Sequence, residues 1–267
     1  MYTLGFIGTG NMGGALAAAA AKATAPAGIL LANRTEAKAK ALAEALGCAW
    51  GTNAQAAQAK YILLGVKPQM MAQAVASIVP ALKQRSDRYI LVSMAAGLTT
   101  EGIRAMTGLE DCPVIRIMPN TPAAIGKGVV LCCRNDRVTP EELAEFRDLF
   151  RCAGAVDEID EHLMDAAAAV SGCGPAFVYM FIEALADGGV ACGLPRDKAQ
   201  RYAAQTLAGA AELLLTSGKH PGALKDAVCS PGGTTIEGVR TLEEGGFRSL
   251  AMDAVKAAYD KTLSLKG

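Results

Sequence analysis

Short, strongly apolar runs alternate with longer stretches of helical composition along the first part of the chain. The runs at 3–7, 29–33, 61–65, 88–93 and 114–118 read as strands, and the intervening segments 13–23, 36–46, 70–82 and 100–106 read as helices. Strand and helix in regular alternation predict a mostly parallel, doubly wound sheet. Two further runs, 129–133 and 155–158, add strands beyond the point where the order reverses, with 140–150 as a helix between them. The sheet is therefore expected to end near residue 158. From His162 onward the strand signal stops. Helical composition continues through 163–171, 176–191, 196–215, 221–228, 235–245 and 247–263. Breaks fall at Gly193-Leu194-Pro195, Ser217-Gly218 and Ser230-Pro231-Gly232-Gly233. Pro195 is expected near the first turn of its helix, where a missing N–H costs nothing. These helices carry Ala, Leu, Met and Phe on more than one face, which points to burial against a second subunit; packing within the chain is the plainer alternative.

The junction after the first strand carries the sharpest local signal. The run 3–7 leads directly into Gly8, Gly10 and Gly13. A lone GxGxxG is weak, but here it stands between a strand and a helix, as the binding of a dinucleotide pyrophosphate requires. Gly8 would permit the tight turn, Gly10 a close approach of backbone to phosphate, and Gly13 the packing of helix on strand. The helix would aim its unpaired N–H groups at the anion. A glycine-rich connector without a ligand is the bland alternative. With this motif, residues 1–158 read as a Rossmann-like NADP-binding domain and 159–267 as a helical dimerisation and substrate-binding domain.

The second strand ends in Asn33-Arg34-Thr35, where enzymes that use the unphosphorylated cofactor commonly place a carboxylate for the ribose hydroxyls. Arg34 is suited to a 2′-phosphate through its planar fork, and Thr35 can donate a hydroxyl. The expected cofactor is therefore NADPH, with NADH the weaker alternative. An ordinary surface arginine fits the same position, and Glu36 next to it is a competing ribose ligand. Gly65-Val66-Lys67-Pro68 and Met118-Pro119-Asn120-Thr121-Pro122 lie at the carboxyl ends of the third and fifth strands, where open sheets bind ligands. Either could instead be a stiff connector. Ser230-Pro231-Gly232-Gly233-Thr234-Thr235 places two glycines and two hydroxyls at a helix start, a concavity of backbone N–H groups able to hold a small carboxylate, or a simple helix cap.

Composition narrows the partners. The 26 basic and 26 acidic residues cancel, so no basic field favours nucleic acid or an anionic membrane. The alanine-rich stretch 15–21 is too short to span a bilayer and reads as a buried helix. Eight scattered cysteines without a CxxC pair, with His162 and His220 the two histidines, argue against a zinc site or a disulfide framework. Reduced thiols in the cytoplasm are the simplest account.

Taken in order, GFIGTGNMG, Val66-Lys67-Pro68, Met118 to Pro122, Ser171-Gly172-Cys173-Gly174-Pro175-Ala176, Asp187-Gly188-Gly189 through Arg196, and Ser230 to Thr235 resemble the pyrroline-5-carboxylate reductases over nearly the whole chain. The resemblance implies reduction of a cyclic imine, L-1-pyrroline-5-carboxylate, to L-proline. It also implies a helical domain that interlocks with that of a second subunit, and it allows a ring of five such dimers. Carried over by motif, Gly8, Thr9, Gly10, Asn11 and Met12 hold the pyrophosphate. Asn33, Arg34 and Thr35 lie near the adenosine phosphate, and Asn53, Val66, Lys67 and Pro68 line the cofactor cleft. Met94, Ala95 and Ala96 lie near the nicotinamide. Glu161, Asp226, Gly232, Gly233, Thr234 and Thr235 resemble the substrate end, with Thr235 matching the catalytic pocket hydroxyl. The family usually has serine where this chain has Cys173, a weaker donor.

The resemblance also fits the scarcity of acid–base candidates, because a protonated imine is already electrophilic. A 3-hydroxy-acid dehydrogenase, the alternative enzyme class, needs a lysine or histidine to take the alcohol proton. Lys198 and Lys225 are the lysines in helical positions for it, and neither sits in a segment built around it. A nucleotide-sensing dimer would not need the second carboxylate site at 230–235.

Overall fold

The computed structural model describes residues 2–264. Strands β1 (Leu4–Ile7), β2 (Ile29–Ala32), β4 (Tyr61–Leu64) and β5 (Ile90–Ser93) are buried at every position. Their sequences are unbroken apolar runs because both faces of the sheet are covered. With β3 (Ala49–Trp50), β6 (Val114–Pro119), β7 (Gly128–Arg134) and β8 (Gly154–Glu158) they form one eight-stranded sheet in the order β3-β2-β1-β4-β5-β6-β7-β8. All neighbours pair in parallel except β6 and β7, where the chain turns back. The sheet thus matches the expected doubly wound type, with strand ends shifted by one or two residues.

Helices α1 (Asn11–Ala23), α2 (Glu36–Leu46), α4 (Met71–Lys83), α5 (Thr100–Thr107) and α6 (Pro140–Leu149) flank the sheet. Successive strand residues point to opposite faces, so Leu4 and Phe6 join one core with Leu16, Phe146 and Phe150. Ile7 joins the other with Met71, Val75 and Ile78. Two elements lie outside the expected set. β3 has two residues and hence no readable period. The one-turn helix α3 (Asn53–Ala56) rests on a capping box, in which Thr52 Oγ1 accepts from the Gln55 N–H and Gln55 Oε1 accepts from the Thr52 N–H.

The chain groups into two compact units, one running to Cys173 and resuming at Ala258, the other Gly174–Ala257. Residue 158, expected as the domain boundary, is where the sheet ends. The compact unit extends past it because α7 (Met164–Ser171) packs on β6 and β7. Met164 is buried with Leu131 and Cys133. At one end of α7, Arg116 Nη2 donates to Asp165 Oδ1 at 2.9 Å; at the other, Asn120 Nδ2 donates to the Ser171 carbonyl at 2.9 Å. Met1 and 265–267, which fall in the two expected domains, lie outside the described residues.

The second unit contains α8 (Gly174–Ala191), α9 (Arg196–Ser217), α10 (Pro221–Val228), α11 (Thr234–Glu244) and the first part of α12 (Phe247–Ser264). Pro195 stands at the N-cap of α9, one residue outside the helix. The seam between α8 and α9 is made of small side chains, Ala186, Ala199 and Ala203, with Ile182 and Val190 against them. Little else is covered. Met180, Tyr179, Leu215, Leu250 and Met252 are each at least 60% exposed, more apolar surface than a self-sufficient helical unit leaves open.

Candidate functional site

The first unit is organised around the carbonyl of Gly8. At the end of β1, the Gly8 N–H donates to the Ala32 carbonyl at 2.9 Å and the Gly65 N–H to the Ile7 carbonyl at 2.8 Å. Gly8 has φ +97°, a conformation that side chains resist. A Cβ at Gly13 would lie 2.3 Å from the Gly8 oxygen, and a Cβ at Gly65 the same. The turn, the first turn of α1 and the end of β4 therefore meet with no room for a methyl group. Helix α1 starts two residues earlier than expected, so Asn11 and Met12 belong to its first turn. No side chain caps it at Gly10, which leaves its first N–H groups open.

A cleft of about 800 Å³ opens beside this turn, at the carboxyl ends of β1, β2 and β4. Of the expected cofactor residues, Gly8, Thr9, Gly10, Asn11, Asn33, Arg34, Thr35, Asn53, Val66 and Lys67 line it. Met12 and Pro68 adjoin lining residues without forming the wall. Met94, Ala95 and Ala96 follow β5 outside it. Ala95 is buried in one core and Met94 packs on the other, so neither side chain faces this cleft. Lining residues outside that set include Gly14, Lys38, Leu42, Met70, Gln73, Ala74 and Ser77. Their signal was the helical spacing 38, 42 and 70, 73, 74, 77 behind the two strand ends.

Two features fit a bound dinucleotide. Thr9 Oγ1 is buried without a hydrogen-bond partner, and a Cβ at Gly10 would meet no protein atom within 4 Å, so that glycine faces open cleft. The wall carries the cations Arg34, Lys38 and Lys67 and no carboxylate. Glu36, the competing ribose ligand in the sequence, is not part of it. Asn33 Nδ2 donates back to the Thr35 carbonyl at 3.3 Å and shapes the β2–α2 turn. Asn53 Nδ2 donates to Ser77 Oγ at 3.1 Å, which in turn donates to the Ala74 carbonyl at 2.7 Å.

The substrate-end residues fall in different units. Gly232, Gly233, Thr234 and Thr235 lie together in the second. The Gly233 N–H donates to the Ser230 carbonyl at 3.0 Å, Gly232 has φ +66°, and α11 begins at Thr234 without a side-chain cap. Thr234 and Thr235 are exposed in its first turn. Asp226 is exposed near the end of α10 and pairs with Lys225. Glu161, expected in the helical domain, belongs to the first unit. Its Oε1 accepts from the Thr100 N–H at 2.7 Å and its Oε2 from Thr100 Oγ1 at 2.8 Å, with Arg116 Nη1 3.6 Å from Oε1. A helix N-terminus and a buried guanidinium together hold this carboxylate in a bracing role.

Asn120 is likewise occupied, its Oδ1 accepting from the Val129 N–H at 2.9 Å while its Nδ2 donates to the Ser171 carbonyl at 2.9 Å. Cys173 is half-buried, and all eight cysteines are free. Burial pushes the Cys132 and Cys133 thiols up to about 12 and Cys112 to about 11, so all three stay neutral at ordinary pH. Among the described residues no cluster of metal ligands occurs.

A parallel sheet with a glycine turn, an uncapped helix and a cation-lined cleft, followed by a helical unit, defines a dinucleotide-dependent oxidoreductase. Residues 3–97 match the family described as NADP oxidoreductase coenzyme F420-dependent, and 161–265 match pyrroline-5-carboxylate reductase dimerisation. The pyrroline-5-carboxylate reductase of Escherichia coli is 41% identical over 98% of this chain and 97% of its own. The crystal structure of the Plasmodium falciparum pyrroline carboxylate reductase with NADP bound superposes with a TM-score of 0.87 at 32% identity, covering 100% of this chain and 98% of that one. The Coxiella burnetii pyrroline-5-carboxylate reductase gives 0.91 at 29% identity, covering 100% and 99%. The chain belongs to the pyrroline-5-carboxylate reductase family. The matched dimerisation region contains Glu161–Ala191, a stretch that is by length and composition apolar and long enough to cross a membrane.

Proposed function

We propose that this chain reduces the C=N bond of L-1-pyrroline-5-carboxylate by hydride transfer from NADPH, giving L-proline in the last step of proline biosynthesis. It acts in the cytoplasm as a homodimer through its helical unit, with five dimers closing a ring. What carries the reading is that both binding halves occur in one chain related end to end to enzymes of this name. One half is the anion-accepting cleft of the first unit; the other is the open start of α11.

The residues divide the work. Thr9 Oγ1 and the first N–H groups of α1 hold the pyrophosphate. Arg34 and Thr35 meet the 2′-phosphate, which the absence of a carboxylate in the wall favours over a bare ribose. Asn53, Val66 and Lys67 complete the cleft. Bound nicotinamide supplies the hydride. Gly232, Gly233 and Thr234 receive the substrate carboxylate at the start of α11, and Thr235 holds the ring nitrogen. Because an imine protonated in solution accepts hydride readily, alignment and exclusion of water supply most of the catalysis. Asp226 and Glu161 position the segments around them.

The test is loss of NADPH absorbance with racemic pyrroline-5-carboxylate, NADH in parallel, and L-proline identified as product. Faster turnover with NADPH supports the reading. A folded protein that binds nucleotide and turns over neither cofactor refutes it.

A further inference from the structure

We infer that Lys38 is a second specificity-determining cation for the 2′-phosphate beside Arg34; this rests on the NADPH reading above. Three charged residues crowd the first turn and a half of α2, Glu36, Lys38 and Lys40, and the fold sends them different ways. Lys38 lines the cleft together with Arg34 and Thr35 and, one turn further, Leu42. Residues two apart on a helix point about 200° from each other, and Lys40 accordingly lies elsewhere, with Nζ over the Trp50 ring 5.6 Å from its centroid. Glu36 is absent from the wall. Neither Arg34 nor Lys38 is in an ion pair with a carboxylate among the described residues, so both charges are available to a ligand.

The geometry of the turn adds to this. The Thr35 carbonyl accepts from the Lys38 N–H at 3.0 Å and from Asn33 Nδ2 at 3.3 Å, which fixes the loop that carries Arg34 against the turn that carries Lys38. Thr35 is the N-cap of α2 but its side chain makes no capping bond, leaving its hydroxyl and the first N–H groups of the helix open. A dianion at this corner meets a planar guanidinium on one side, an ammonium on the other and a helix N-terminus between them. A ribose hydroxyl draws little from two cations. The pair therefore separates the phosphorylated cofactor from the unphosphorylated one, with Arg34 held on the loop and Lys38 on the helix.

Binding of nucleotide fragments tests this without turnover. Calorimetry with 2′,5′-ADP and 5′-ADP reads the subsite directly in wild type, Lys38→Met and Lys40→Met. Lys38→Met should weaken 2′,5′-ADP about tenfold, as the loss of one charge-assisted contact does, with 5′-ADP changed less than about twofold. It should also flatten the salt dependence of 2′,5′-ADP binding. Lys40→Met should alter neither ligand. If wild type binds the two fragments equally, the NADPH reading itself fails. A wild-type preference for 2′,5′-ADP that is undiminished in Lys38→Met, or falls equally in Lys40→Met, overturns the assignment of Lys38.

Discussion

Replacing Arg116 by methionine tests how the first unit is braced. Its side chain is 1% exposed in the middle of β6, where Nη2 is 2.9 Å from Asp165 Oδ1 and Nη1 is 3.6 Å from Glu161 Oε1. Removing one partner of a buried pair costs about 3–5 kcal/mol, because the other charge loses its closest compensation. Part of this is offset. Arg116 Nε and Nη1 are buried without hydrogen-bond partners, and deleting such donors returns about 1–2 kcal/mol. The net loss is then about 1–4 kcal/mol, a sizeable part of a total of about 5–15 kcal/mol. Urea unfolding followed by circular dichroism at fixed subunit concentration measures it, concentration being held because dimerisation adds to apparent stability. Adding Asp165→Asn should restore part of the loss, since the buried carboxylate charge that Arg116 answered is removed. An Arg116→Met protein within about 0.5 kcal/mol of wild type, or single effects that simply add in the double variant, would refute the reasoning.

Thr235→Ala should leave NADPH affinity unchanged and lower kcat by about 10- to 100-fold, the worth of one hydrogen bond to a charged group; unchanged turnover at saturating substrate removes its catalytic role. Gly13→Ala puts a methyl 2.3 Å from the Gly8 oxygen, so the turn must shift. NADPH titration should give at least a roughly tenfold weaker Kd, and stability should fall by about 1–3 kcal/mol. Arg88 grips Glu142 through Nε–Oε1 at 2.6 Å and Nη2–Oε2 at 2.7 Å and holds its carboxyl below the usual range. That contribution is present above the ordinary carboxylate value and lost as pH falls through the lowered folded one. Glu142→Gln should thus cost about 1 kcal/mol at pH 7, and the difference should vanish in strong acid; an equal cost at both ends of the pH range rules the ion pair out as its source.

The alternation of apolar runs and helical segments made the sheet legible, because continuous burial on both faces leaves a continuous apolar run. The glycine turn was legible for a similar reason: its motif residues Gly8, Gly10 and Gly13 lie within six positions of one another. What lay hidden was nonlocal. Val114 to Met118 reads as one more strand, yet Arg116 within it is answered by Asp165 and Glu161, about fifty positions on, and no local period announces such a pair. Lys38 and Ser77 reach the cleft through the phase of their helices, which composition does not reveal. Glu161 was recognised by family likeness as a site residue, and its bonds to Thr100 appear once α5 is placed in space.

The meeting of Gly8, Gly13 and Gly65 has a consequence for how this sequence can change over time. Gly8 occupies the space that a side chain on Gly13 or Gly65 would need, and Gly65 the space that one on Gly8 would need. A first substitution at any of them is paid before a second can relieve it, so single steps lead downhill in both stability and nucleotide affinity. Drift is therefore blocked at three positions spread over 58 residues of chain, from 8 to 65. The neighbouring cleft wall at 34, 38 and 42 makes no such mutual demand. Cofactor preference can consequently diverge among descendants of this sequence while the turn that holds the pyrophosphate stays fixed.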